Sequence, residues 1–497
     1  MLLAAPIDQA VVKVAILAAA QGLLLAKFLA ERTASAVGAF VFMSFLFFGL
    51  RPIYIVFEND YELLTDLFGV GQDEGVVGRA MWWATAGALM FVVGGLAGRR
   101  VVKVNPGFKV RTAHRKTVAP SPSRLSSSGY FRQTFLPLPP SGGRAPPPLL
   151  APNFCQLLVA YQVVSVLYMI GKGGTMQYGS AFGAYLYDFP VLLQGGQLFA
   201  ALALSERFMR MRGQRHRNLA VLSIGLFLVF TYLLRGSTLF RGQWITGVMI
   251  LGLALGLRWR GRFPLLLVAG PIVVLLPLFR VLGQERYSEN RELVSRMSDT
   301  VASVFTPRSY WDFLDSSGDI NIFDTFVAAK EATPAFHPYV MSWLYVPVHM
   351  VPRKLWPGKP EAGVLQDMSF TNGAPYSPGI AGFFVLDGGL LYMLPNMAAL
   401  GALLGLLEGW VMTRLGGYLR LCAYAALVVN ALYLTRFFLW QAFYQTLYFI
   451  VPCYLLHRYS RHHLLCEPPP PPQRLDLRPA GGGAAQRIST GRLRTLS

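Results

Sequence analysis

Long apolar runs separated by short polar connections dominate this chain. The first three lie at Ala10–Ala30, Ala34–Phe57 and Val76–Gly98. Five more follow at Leu149–Ile170, Tyr187–Leu204, Leu219–Leu234, Trp244–Leu257 and Phe263–Leu282. Phe383–Leu406, Leu421–Thr435 and Phe438–Leu456 close the series. A helix needs about 18 or more apolar residues to cross the hydrocarbon core of a bilayer. The pattern predicts an all-α, polytopic integral membrane protein of about eleven transmembrane helices with one large external loop.

The polar intervals set the orientation. Residues 99–148 form a basic stretch in which Arg99, Arg100, Lys103, Lys109, Arg111, Arg115, Lys116, Arg124, Arg132 and Arg144 meet no acid, among prolines, serines and glycines. Such a segment cannot bury enough apolar surface to fold and reads as disordered. Further cations cluster at 207–217, at 258–262 and in the 458–497 tail, which also holds five consecutive prolines from Pro468. Placing all four groups in the cytoplasm leaves an even number of spans between each, with the N-terminus outside and the C-terminus inside. The chain then divides into spans 1–3 (residues 1–98), the basic loop (99–148), spans 4–8 (149–282), an external loop (283–382), spans 9–11 (383–457) and the tail (458–497). Gly94-x-x-x-Gly98, Gly252-x-x-x-Gly256 and Gly401-x-x-x-Gly405 are candidates for close helix contacts.

Composition sharpens the class. Hydrophobic residues are 54% of 497 positions and charged residues 14%, outside the range of soluble domains. The formal charge of +20 suggests nucleic acid, but its cations sit where the positive-inside rule puts them, so no nucleic-acid partner is expected. Cys155, Cys422, Cys453 and Cys466 show no metal-ligand spacing and form no disulfide framework. Met1–Ala10 lacks a basic region and a cleavage site, so the first span is expected to act as its own insertion signal.

The stretch 283–382 carries the candidate chemistry. A hundred-residue polar connection is far longer than ordinary loops, which favours a functional role. Arg291–Phe305 puts Leu293, Val294, Met297, Val301 and Val304 on one face, predicting an amphipathic helix. A second helix is predicted over Asp319–Ala332, ended by Pro334. Asp312, Asp315, Asp319 and Asp324 are candidate bases or cation ligands but too scattered to form a metal set. Charges also gather at span ends: Asp188, Arg235, Arg241, Arg280, Glu285, Arg286, Arg291 and, just inside the following span, Asp387. A charge near hydrocarbon costs on the order of 3 kcal/mol unless paired or watered, so each marks a candidate site. Arginine grips phosphate in two places and never deprotonates, so Arg235, Arg241, Arg286, Arg291 and Arg353 together can cradle a diphosphate, with Lys359 in support, although Arg235 and Arg280 read better as interfacial anchors. His349, four residues before Arg353 in a proline-limited stretch, is the candidate general base, ahead of His337.

These residues carry a resemblance. Val351-Pro352-Arg353-Lys354-Leu355-Trp356-Pro357-Gly358-Lys359-Pro360 resembles the outer loop of bacterial oligosaccharide repeat-unit polymerases, the O-antigen (Wzy-type) family. Ser377-Pro378-Gly379-Ile380-Ala381-Gly382 and Asp387-Gly388-Gly389 are similar to that family's return into the membrane, and Arg235-Gly236-Ser237 through Arg241 to its outer arginine. The likeness covers roughly Leu219–Trp410. Phe383 and Phe384 stand where the family often has an acidic residue, and the Ser237-to-Arg241 spacing is wider than usual.

The resemblance implies a multi-pass glycosyltransferase of the bacterial inner membrane that joins undecaprenyl-diphosphate-linked repeat units into a surface polysaccharide. It implies no nucleotide sugar, no cofactor and no required metal. Implied partners are the lipid-linked oligosaccharides, membrane lipids, a chain-length regulator and a flippase. A ligase of the same superfamily, a lipid-linked oligosaccharide exporter and a non-catalytic scaffold are the alternatives. An exporter would line a mid-membrane cavity with cations, whereas these span centres carry few charges.

Overall fold

The computed structural model describes residues 9–58, 60–61, 64–65, 74–104, 152–171, 183–210, 214–233, 241–260, 263–274, 306–316, 321–331, 341–351, 356–358, 377–415, 417–436 and 439–460. Among these residues all regular structure is helical. Helix α1 is Gln9–Leu29, α2 Ala36–Glu58 and α3 Glu74–Val104. Next come α4 (Pro152–Gly171), α5 (Gly183–Arg210), α6 (Gln214–Leu233), α7 (Arg241–Arg260) and a short α8 over 266–274. Three short helices arise from the long polar stretch: α9 (Pro307–Ser316), α10 (Ile322–Glu331) and α11 (Met341–Met350). The chain ends its described part with α12 (Gly379–Arg414), α13 (Gly417–Tyr433) and α14 (Leu439–Ser460).

Among the described residues α1, α2, α3, α4 and α12 are long and apolar enough to cross a membrane. Shorter apolar stretches lie in α6, α7 and α13. Each apolar run of the sequence coincides with a helix, the eighth only over 266–274 because 275–282 lies outside the described residues.

At the centre is α13. Every residue from Leu421 to Leu432 is buried, including Asn430, so no face of this helix meets the surroundings. A helix apolar all round needs neighbours on every side, and α2, α5, α7, α12 and α14 supply them. The tightest pair is α3 with α12. A Cβ on Gly94 would lie 2.0 Å from the Ala398 carbonyl oxygen, and one on Gly98 2.2 Å from that of Ala402. In return, Gly401 and Gly405 meet the carbonyl oxygens of Phe91 and Gly95 at 2.0 and 2.1 Å. Two of the three small-residue motifs therefore pack on each other, bringing backbones together as glycine allows in a membrane. The third does not act this way: a Cβ on Gly252 would meet nothing within 4 Å, and Gly256 makes room for the Phe263 ring.

Partner numbers rise together along α3 and α12, so the two helices run parallel. Their C-terminal ends share one side of the molecule, where Arg99 donates to Glu408 at 2.8 and 3.2 Å. Tyr424 donates there to the Ala34 carbonyl at 2.6 Å, and its hydroxyl oxygen lies 3.3 Å from the Glu408 carboxylate. Glu31, in the turn between α1 and α2, belongs to the same group; burial pushes its carboxyl above the ordinary carboxylate range, opposed by Arg99.

Helix α2 is not uniform. Over Phe45–Leu50 its turns widen to the π form, a bulge of the kind that interrupts α-helices for about a turn. Gln21 of α1 donates to the Phe48 carbonyl at 3.3 Å and to Thr85 of α3 at 2.8 Å, tying three helices at that point. Directly after the widened turns comes Arg51.

Candidate functional site

The end of the bundle opposite Arg99 and Glu408 gathers the elements of the 283–382 stretch. Helix α9 starts as its sequence dictates: Thr306 accepts from the Ser309 amide at 3.2 Å as N-cap, and Pro307 takes the first helical position. Tyr310 donates to the Val274 carbonyl at 3.2 Å, and Trp311 packs on Tyr54 with ring centres 5.3 Å apart. The Trp311 indole donates to Glu58 at 2.6 Å. This helix was not among the elements predicted from the sequence. The predicted helix over Asp319–Ala332 is present as α10, whereas Arg291–Phe305 lies outside the described residues.

Helix α10 is far more deeply set than an external wall requires. Ile322 through Ala329 are all buried, Asp324 and Thr325 at 0% exposure. Phe48 of α2 meets Phe326 edge-on at 5.5 Å and Phe323 at 6.3 Å. The carboxylate of Asp324 receives the Arg51 fork, Nε to Oδ2 at 3.0 Å and Nη2 to Oδ1 at 3.3 Å. Nη1 of Arg51 also donates to Asp60 at 3.0 Å and to the Leu314 carbonyl at 2.6 Å. Arg51 is 1% exposed. One cation thus faces two carboxylates and a carbonyl, and four of its five N–H groups are spoken for. Lysine would offer a point charge in place of this planar fork.

The other half of the site is a break in α12. Gly388 and Gly389 leave the helical conformation, Gly389 at φ 81° and ψ −176°. Asp387, the last residue before the break and 3% exposed, accepts from the Ser342 amide at 2.9 Å. A carboxylate from a distant segment thereby caps the first turn of α11, where free amides and the helix dipole favour negative charge. The next residue, Trp343, donates its indole N–H to Asn396 at 2.6 Å, and Asn396 donates to the Tyr392 carbonyl at 2.7 Å. Trp343 stacks on Phe384 with centroids 6.0 Å apart and planes 18° apart. Phe383 and Leu386 pack instead with Ala329 of α10. The half-helix 379–387 is therefore gripped on one side by α10 and on the other by α11. That explains the aromatic pair at 383–384: each ring is a packing surface for one of the two helices.

Among the predicted site residues, Asp324 and Asp387 are described fully, and each joins one half of this arrangement. His349 lies in the last turn of α11 and Arg241 opens α7; the side chains of both fall outside the described residues. Arg286, Arg291, Arg353, Lys359, His337, Arg235 and Arg280 lie outside them altogether, as do Glu285 and Asp319. The side chains of Asp188, Asp312 and Asp315 also fall outside. Sequence reasoning missed Arg51, Asp60, Ser342 and Asn396, whereas Trp343 stands out in the sequence as one of the loop aromatics suited to a sugar ring or an interface belt. A charge inside the run Ala34–Phe57 was the available signal for Arg51; nothing local marks the other three.

Among the described residues no group of three or more histidine, cysteine, aspartate or glutamate side chains is placed to hold a metal ion. Comparison with protein-family models, with curated proteins and with solved structures returned no match.

Proposed function

We propose that this chain is a membrane glycosyltransferase that polymerises undecaprenyl-diphosphate-linked oligosaccharide repeat units into a surface polysaccharide. One observation carries the reading. Asp387 of the Asp387-Gly388-Gly389 break, one of the stretches that resemble the repeat-unit polymerases, caps the first turn of α11, and the Val351–Pro360 stretch follows that helix in sequence. A broken helix is also where membrane proteins present free backbone groups and charged side chains to a polar substrate.

In this reading the growing chain on its lipid diphosphate is the donor, and the terminal sugar of another lipid-linked unit is the acceptor. The acceptor hydroxyl attacks the anomeric carbon, its bond to the diphosphate oxygen breaks, and lipid diphosphate leaves. His349 takes the hydroxyl proton as general base, a role worth about 10²–10⁴ in rate. Arg353 and Arg241 stabilise the charge developing on the leaving diphosphate, joined by Arg286, Arg291 and Lys359. The active face is the outer side of the bacterial cytoplasmic membrane.

The lipid-linked intermediates of a deletion strain test this reading. A polymerase mutant accumulates single repeat units on the outer leaflet. Finished polymer left on lipid would indicate a ligase, and repeat units trapped on the inner leaflet an exporter.

A further inference from the structure

We propose that Arg51 is the positioning residue of this site: its guanidinium fixes how α10 seats in the bundle, and through the half-helix 379–387 it holds α11 at the break in α12. The inference rests on the reading above only for its activity readout.

Three features of Arg51 support the assignment. Its position within the apolar helix α2 makes a charge costly there. The fork spans long gaps in the chain, reaching Asp324 across 273 residues and the Leu314 carbonyl across 263. Its partners close the geometry from several sides, since Asp324 is 0% exposed and Asp60 bonds the same Nη1 that meets Leu314.

A buried ion pair rarely adds net stability over apolar side chains of the same volume, because desolvation cancels most of the attraction. What it adds is a single permitted geometry. The ring contacts of α10 with α2, Phe323 and Phe326 against Phe48, tolerate rotation and sliding. A ten-residue helix is too short to hold its own shape. The Asp324 fork therefore selects one rotation and one depth for α10. That choice reaches the site because Ala329 at the far end of α10 packs with Phe383 and Leu386, while the adjacent Phe384 stacks on Trp343 of α11.

Amide hydrogen exchange of the full chain in lipid nanodiscs tests this, comparing wild type, Arg51→Met and Arg51→Met/Asp324→Leu. In Arg51→Met, exchange should rise on the order of tenfold or more over 321–331 and over 341–351, with 417–433 unchanged. The double variant, which removes the stranded carboxylate along with its partner, should regain protection in both stretches. It should also regain the kcat of polymerisation that the single variant loses, with KM for lipid-linked repeat units unchanged throughout.

Unchanged protection in the single variant would overturn the proposal, as would loosening confined to 321–331. Recovery of protection without recovery of kcat would overturn it too, by making Arg51 part of the chemistry. If Arg51→Met loosens 417–433 as well, Arg51→Lys decides. Loosening limited to the two stretches supports positioning, whereas global loosening or none at all contradicts it. Exchange is measured without substrate, so a chain that fails to polymerise would sink the proposed function and leave the exchange result to stand or fall alone.

Discussion

Gly389 holds φ 81° and ψ −176°, a region essentially closed to residues with a Cβ. No described atom lies within 4 Å of where that Cβ would stand. Gly389→Ala should therefore cost about 1–3 kcal/mol through backbone strain alone, read as a lower unfolding midpoint in detergent. A midpoint equal to wild type would mean that the break relaxes freely. Two residues earlier, the Asp387 carboxylate acts on α11 as a cap. Asn caps as well as Asp, whereas alanine loses on the order of 1 kcal/mol. Asp387→Asn should thus keep the 341–351 amides protected, and Asp387→Ala should release them, as hydrogen exchange would report. Glu31 adds a pH dependence. Its carboxyl binds a proton more tightly in the folded chain than in the unfolded one. The stability it contributes is present below the ordinary carboxylate range and is lost as pH rises through the raised folded value. Glu31→Gln should flatten that part of a stability–pH curve, and an unchanged slope would exclude Glu31 as its source.

Helix contacts explain why some elements were legible and others not. Apolar runs announce α1 to α4 and α12 directly, because crossing hydrocarbon requires length and apolarity in one uninterrupted segment. The glycines of α3 and α12 were legible as motifs, but their pairing was not, since spacing says nothing about which helix answers. Gly94→Leu or Gly401→Leu should separate these helices and fail to fold, because the opposing atom is a backbone carbonyl that cannot swing aside. Gly252→Ala, in open space, should be neutral or slightly stabilising. Expression and detergent melting of the three variants would check both statements. Helix α9 could have been read from Thr306-Pro307, a cap followed by a proline in the first turn. Helix α11 could not: Pro347 interrupts it, and its N-terminal acceptor comes from Asp387, 45 residues downstream. The Arg51–Asp324 fork was illegible for the same reason, because a non-local ion pair leaves no periodicity in either segment.

Among the described residues, two charged clusters sit at opposite ends of a largely apolar bundle. Arg99, Glu408, Tyr424 and Glu31 share the end from which the basic 99–148 stretch leaves. Arg51, Asp324 and Asp387 belong to the other, beside the helices of the 283–382 stretch. Under the proposed function, the end with Arg99 and Glu408 would face the cytoplasm, as the positive-inside rule asks of the basic stretch beyond it, and the opposite end would receive lipid-linked sugars. The most direct test is reconstitution of the purified chain in nanodiscs with undecaprenyl-diphosphate-linked repeat units and no nucleotide sugar. The account predicts a ladder of lengthening glycans from wild type, and none from an Arg353→Ala variant present at the same level. A wild-type chain that leaves the repeat units single, or an Arg353→Ala chain that builds the same ladder, would contradict it.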